Sequence, residues 1–166
     1  MYRGCCAGGA PIVVCDAPTG RGGTWNDRGE IVFASGINDP LRKVAASGGT
    51  RAPITVIDVP RENSHRWPQF LPDGRHILFW AGAGTGPAQL KVASLESTDT
   101  VPLGPGEASA SYAAGYLFFK VRDALMAQRL DPITLAKSGE PITVTAPISS
   151  CRSRAAVCRF QYSLRV

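Results

Sequence analysis

The chain has 166 residues, 44% of them apolar and 19% charged, the make-up of a globular domain rather than of a disordered or membrane-embedded segment. Its net charge of +5 is concentrated only at Arg152, Arg154, Arg159 and Arg165. No aromatic platform with interleaved Lys or Arg accompanies it, so nucleic acid is not an expected partner.

Met1 to Cys15 lacks the basic stretch and apolar run of a secretory signal, and no run of about 18 apolar residues exists anywhere. The chain is therefore expected neither to carry its own export signal nor to insert into a membrane. The compartment is left unknown, since a parent protein could be anchored in a membrane with this domain outside the cytoplasm. The five cysteines, Cys5, Cys6, Cys15, Cys151 and Cys158, form no C-x-x-C pair or Cys/His cluster. Neither a metal nor another cofactor is expected.

Short apolar runs separated by Gly and Pro then follow one another in a repeating order. Pro11-Ile12-Val13-Val14 reads as the last strand of an incomplete blade, preceded by Ala7-Gly8-Gly9, which echoes Ser47-Gly48-Gly49. The first full unit runs from Thr24-Trp25-Asn26 through Glu30-Ile31-Val32-Phe33 and Leu41-Arg42-Lys43-Val44 to Ala52-Pro53-Ile54-Thr55-Val56. The second runs from Trp67-Pro68-Gln69-Phe70 through His76-Ile77-Leu78-Phe79 and Gln89-Leu90-Lys91-Val92 to Thr100-Val101-Pro102-Leu103. A looser third runs from Ser111-Tyr112-Ala113 through Tyr116-Leu117-Phe118-Phe119 and Leu125-Met126-Ala127-Gln128 to Glu140-Pro141-Ile142-Thr143-Val144.

Ile54 to Val101 spans 47 positions and Val101 to Ile142 spans 41, the period of a four-stranded propeller blade. Asp73-Gly74 predicts a hairpin turn, with Arg28-Gly29 and Ala114-Gly115 in the corresponding places. Pro53, Pro102 and Pro141 recur in the fourth run, where a missing N–H is tolerable only at an outer edge. The expected fold is all-β, a partial β-propeller of about three four-stranded antiparallel blades plus flanking strands. Residues 1–16 are expected to hold the incomplete blade's strand, 17–145 the three blades, and 146–166 an extra strand or a non-native tail. In that tail Cys158, Phe160, Tyr162, Leu164 and Val166 alternate with polar residues. A generic β-sandwich with coincidental spacing is the competing fold.

The stretch Trp67-Pro68-Gln69-Phe70-Leu71-Pro72-Asp73-Gly74, with His76-Ile77-Leu78-Phe79 behind it, resembles the WD40-like, TolB-like (PD40-type) propeller repeat. Gly20-Arg21-Gly22-Gly23-Thr24-Trp25-Asn26, and Asp131-Pro132 followed by Gly139-Glu140-Pro141, also resemble propellers attached C-terminally to bacterial serine/threonine protein kinases. The resemblance covers about residues 8 to 145. It implies a binding or scaffold module, part of a larger signalling protein. The third unit departs from the pattern by lacking Pro-Asp-Gly. Closed propellers have 4–8 blades, so three blades point to a fragment of a longer propeller, with self-association through open blade edges as a consequence.

Catalytic motifs are not placed. Gly82-Ala83-Gly84-Thr85-Gly86 has Pro87 where a phosphate loop needs a third glycine, and a hairpin is the expected reading. His65-Arg66-Trp67 lacks the aspartate of a kinase catalytic loop, and no G-x-S-x-G elbow is present. His76 reads as a hydrogen-bonded strand residue. Trp25, Trp67 and Trp80 read as packing between blades. His65, Arg66 and Trp67 are the candidate residues for binding a protein or peptide at the propeller rim, against the plainer reading that His65 caps a loop and Arg66 pairs with a carboxylate. No catalytic residue is assigned. The alternatives are a propeller-type lyase or glycosidase using Asp58, Glu62, Asp73 and Glu107, and an inactive remnant.

Overall fold

The computed structural model describes residues 12–145 together with the strand Tyr2–Arg3. The expectations placed on Cys5, Cys6, Ala7-Gly8-Gly9, Pro11 and residues 146–166 lie outside the described residues.

Strands β1 (Tyr2–Arg3) and β2 (Ile12–Val13) form a two-stranded antiparallel sheet. Three four-stranded sheets follow, each built from consecutive strands in simple order. Blade 1 holds β3 (Gly23–Trp25), β4 (Glu30–Ala34), β5 (Leu41–Ala45) and β6 (Ala52–Pro53). Blade 2 holds β7 (Glu62–Phe70), β8 (His76–Ala83), β9 (Gln89–Ser94) and β10 (Thr100–Pro105). Blade 3 holds β11 (Ser111–Ala113), β12 (Tyr116–Val121), β13 (Ala124–Leu130) and β14 (Lys137–Thr145). Every pairing is antiparallel, and the sheets do not close into a barrel. The chain is thus all-β, a partial propeller of three blades. Among the described residues no helix is long and apolar enough to cross a membrane.

Side chains alternate across a strand, so each blade's second strand sends successive residues to opposite neighbours. Ile31 and Phe33 pack with Val14, Val44 and Ala46 on the outer side of blade 1. Their neighbours Val32 and Ala34 turn the other way and meet Ile77, Phe79 and Ala81 of blade 2. On the far side of β8, Leu78 joins Leu90 and Val92 against Tyr112, Leu117 and Leu130 of blade 3. Because β4 and β8 are covered on both faces, they read as unbroken apolar runs rather than as alternating ones. Ile31, Phe33, Ile77, Phe79 and Leu117 are all buried, and Phe119 is half-buried at the end of the arc.

Polar ties repeat at the blade boundaries. The Thr24 hydroxyl accepts the backbone N–H of Phe70, joining β3 to β7. Gln69 occupies the same place in blade 2 and bonds both backbone groups of Tyr112, its amide N–H donating to the carbonyl at 3.0 Å and its carbonyl accepting the N–H at 2.8 Å. Ser111 is the corresponding residue of blade 3, and it is exposed.

The turns between first and second strands carry Gly29, Gly74 and Gly115 at φ 76°, 64° and 84°, the left-handed region that glycine enters without a Cβ penalty. In blade 2 the Asp73 carboxylate fixes the turn by accepting the N–H groups of Arg75 and His76. Blade 3 solves the turn differently, with Ala114 also at positive φ in a two-residue loop between Ala113 and Tyr116. Pro53, Pro102 and Pro141 all lie in the outermost strands β6, β10 and β14, and Pro102 sits at a break in the β10–β9 register.

β6 is shorter than the five-residue run Ala52 to Val56 predicts. The ladder ends because the Thr55 hydroxyl, not a backbone carbonyl, takes the N–H of Leu41 at 2.9 Å.

Candidate binding site

The candidates His65, Arg66 and Trp67 all lie on β7, the strand of blade 2 nearest blade 1. They divide by burial, with the β7–β8 register shifting between Arg66 and Gln69. His65 is fully buried, so its ring offers no rim surface, and the loop-capping role is also replaced by an interior one. Arg66 and Trp67 are half-buried, and among the described residues no carboxylate pairs with Arg66.

The His65 ring sits between blades 1 and 2, edge-on to Phe79 at 4.8 Å. Its Nδ1 lies 2.8 Å from the Thr55 hydroxyl and its Nε2 3.0 Å from Glu62 Oε2. Glu62 in turn ion-pairs with Lys91. Thr55 already accepts the Leu41 N–H, so its own proton points to Nδ1 and the ring donates from Nε2 to Glu62. That tautomer is neutral, and burial, opposed by the Glu62 charge, holds the imidazole below its ordinary pKa. For Glu62, burial acts to raise the carboxyl pKa. The hydrogen bonds and charge from Lys91 and His65 outweigh it and leave the value lowered. A hydroxyl, imidazole and carboxylate in line have the order of a nucleophile, base and orienting acid. Here the hydroxyl is enclosed, with Thr55 only 1% exposed, so no substrate reaches it. The network ties one blade to the next.

One residue further, β7 changes direction. The register with β8 shifts between Arg66 and Gln69, and Trp67 adopts φ 53° immediately before Pro68. A bulky residue in the left-handed region is strained, at a cost of about 1–3 kcal/mol, and a following proline disfavours helical backbone further. The loop into blade 1 and the Trp80 ring hold it there. The Trp67 N–H donates to Arg21 O at 2.8 Å, in the loop that leads into blade 1. That loop comes so close that a Cβ on Gly22 would stand 3.1 Å from Trp67 Cα. The Trp67 ring lies 5.2 Å from Trp80 at 51°, and the Trp80 indole N–H donates to Gly106 O in the loop leading into blade 3.

Arg66 lies directly across the ladder from Trp80, with its guanidinium carbon 5.3 Å from the ring centre. Its Nη2 donates to Ile37 O at 3.2 Å, across to the β4–β5 loop of blade 1, and its buried Nε has no hydrogen-bond partner among the described residues. Arg21 stands nearby. Burial first, then the Arg21 charge, lower the Arg66 pKa from its usual value, yet guanidinium stays charged throughout the accessible pH range. Among the described residues neither arginine enters an ion pair.

The remaining candidates have structural partners. Asp58 pairs with Arg61, and Asp73 with His76 Nδ1 at 2.5 Å. Glu107 accepts the Arg122 N–H. The backbone N–H groups of Gly84, Thr85 and Gly86 all donate to carbonyls of Pro60 and Arg61, so they are committed to the hairpin and not to a phosphate. Among the described residues no group of three His, Cys, Asp or Glu could hold a metal ion.

The sequence signal for Arg66 and Trp67 was their place just before the Pro-x-F-x-P-D-G core. The partners Arg21, Trp80 and Ile37 carried no such signal, because the contacts run between blades. No family model and no curated protein matches the chain.

Proposed function

We propose that this chain is a non-catalytic binding module, and that it captures a protein segment or peptide over Arg66, Trp67 and Trp80. The observation that supports this reading is Arg66 itself. A half-buried guanidinium is laid on an indole, fixed at one end by a backbone carbonyl and paired with no carboxylate among the described residues, beside a tryptophan kept in a strained backbone conformation. Rigid arginine and tryptophan side chains of this kind are the residues that dominate binding energy at protein interfaces. Local strain of this kind is concentrated at ligand clamps and active sites.

The blade repeat and the Phe70-Leu71-Pro72-Asp73-Gly74 core support placing the module among WD40-like, TolB-like propellers, as a portion of a larger bacterial signalling protein linked to a serine/threonine kinase. Fold alone does not choose a ligand, so the site must carry the function. The test is a peptide panel titrated against the intact chain while indole fluorescence is followed. Peptides that bind should lose at least about tenfold in affinity on Arg66→Ala with Trp67→Gly, a pair that keeps the positive φ tolerable. Unchanged binding by a variant that still unfolds cooperatively would overturn the reading.

A further inference from the structure

The Arg21 carbonyl takes the Trp67 N–H at 2.8 Å, which sets the exposed Arg21 beside half-buried Arg66 and the Trp67–Trp80 pair, and no acidic side chain among the described residues forms an ion pair with either arginine. Two half-buried lysines do meet carboxylates. Lys91 meets Glu62, and Glu107 receives Lys120. Arg66 is the partly buried member of the two, so a neighbouring positive charge costs it more than it costs Arg21, and an anion received between them offsets that cost. Arg66 cannot swing away to relieve this. Its Nη2 is held by Ile37 O, and its guanidinium lies against Trp80. The same anchoring removes in advance the side-chain entropy that a flexible arginine would lose on binding.

We infer that the module's ligand is an acidic peptide segment, with an Asp or Glu carboxylate received between Arg66 and Arg21 and a neighbouring apolar side chain laid on Trp67. This rests on the binding reading above and specifies its substrate class. A carboxylate fits better than a phosphate. The backbone donors that cradle a phosphate are already spent here, since the Trp67 N–H serves Arg21 O and the Ala34 N–H serves Gly22 O. Two guanidinium groups supply a complement for one carboxylate. The half-buried indole next to them accepts an apolar residue, which a free anion would leave uncovered.

The experiment uses the full chain and blocked octapeptides with a central Glu-Leu or Asp-Leu pair. The matched controls carry Gln-Leu or Asn-Leu, and inorganic phosphate is a third probe. Indole fluorescence reports binding. The acidic peptides should bind at least about tenfold more tightly than their amide twins, the size of one charge-assisted hydrogen-bonded contact. That preference should vanish in Arg66→Gln and shrink in Arg21→Gln, and it should weaken between 50 and 500 mM salt, values chosen to span strong and weak screening. If acidic and amide peptides bind equally and both depend on Trp67, the carboxylate inference fails while the binding reading stands. If no peptide binds, or if binding ignores both Trp67→Gly and Arg66→Gln, the binding reading fails with it. Phosphate displacing the acidic peptide at equal concentration would show a general anion site and overturn the choice of a peptide carboxylate.

Discussion

His65 and Arg66 are adjacent in β7, and the structure uses them in opposite ways. His65 closes a polar network whose donors and acceptors are matched, in the seam between blades 1 and 2. Arg66 stands at the edge of the same blade with a carbonyl, an indole face and, among the described residues, no counter-charge. Matched buried groups hold a fold in one arrangement, whereas an unmatched charge on a rigid platform is available to something else. The contrast separates residues that keep the blades together from the residues proposed above to receive a ligand.

The largest expected effect comes from breaking the network at its charged centre. Glu62→Ala leaves Lys91 and the His65 Nε2 proton without their acceptor in a buried seam, and should lower unfolding stability by about 3 kcal/mol or more. Urea denaturation of the variant would measure it, and a loss under about 1 kcal/mol would mean that the network contributes little.

Next comes Thr55→Val, which keeps the shape and removes the hydroxyl. Leu41 N–H and His65 Nδ1 both lose their partner, so about 2 kcal/mol should go, with the urea midpoint shifted and its slope unchanged.

Acid should find the same weak point. The folded chain holds the His65 imidazole neutral below the pH at which the unfolded chain's imidazole takes a proton, ordinarily about 6.5. Stability from this group is therefore complete above that pH and declines as pH falls from there toward the lowered folded value. Glu62, also lowered, adds its own loss further down, below the ordinary carboxylate range near 4.3 and through its folded value. Urea midpoints that stay level from about pH 7.5 down to pH 5.5 would contradict this ordering.

The smallest effects distinguish inner blade boundaries from the outer one. Thr24→Ala strands the Phe70 N–H and should cost about 1 kcal/mol, while Ser111→Ala, at the matching exposed position, should change nothing measurable. Equal losses at both would show that Ser111 has a partner of its own.

Much of this architecture was legible in the sequence because blade formation is a local matter. The short apolar runs, the Gly29, Gly74 and Gly115 turns and the outer-strand prolines each depend on residues within one unit. The limits of that reading are equally physical. β6 falls short of its apolar run because a side chain, Thr55, replaced the backbone acceptor for Leu41. The burial of His65 follows from β7 beginning at Glu62, several residues before the Pro-x-F-x-P-D-G core, which reverses the expected exposure of a residue placed in a rim loop. Lys91, set between Leu90 and Val92 in a strand covered on both faces, was the one available hint that a buried carboxylate must lie nearby. The bulge at Trp67 left no signal, since it arises where the lead-in loop of blade 1 meets β7.

The central claim is that binding and blade cohesion reside in different neighbours of one strand. It is tested most directly by measuring both properties, at pH 7 and 25 °C, on two variants, Arg66→Gln and Thr55→Val. Arg66→Gln should abolish the preference for acidic over amide peptides and shift the urea midpoint less than Thr55→Val does, since it removes one hydrogen bond to Ile37 O and a cation–π contact at the edge of the blade. Thr55→Val should lower the midpoint and leave the affinity of the folded protein unchanged. If instead the two properties fall together in both variants, or if Thr55→Val alone removes binding, the division between the two neighbours is wrong.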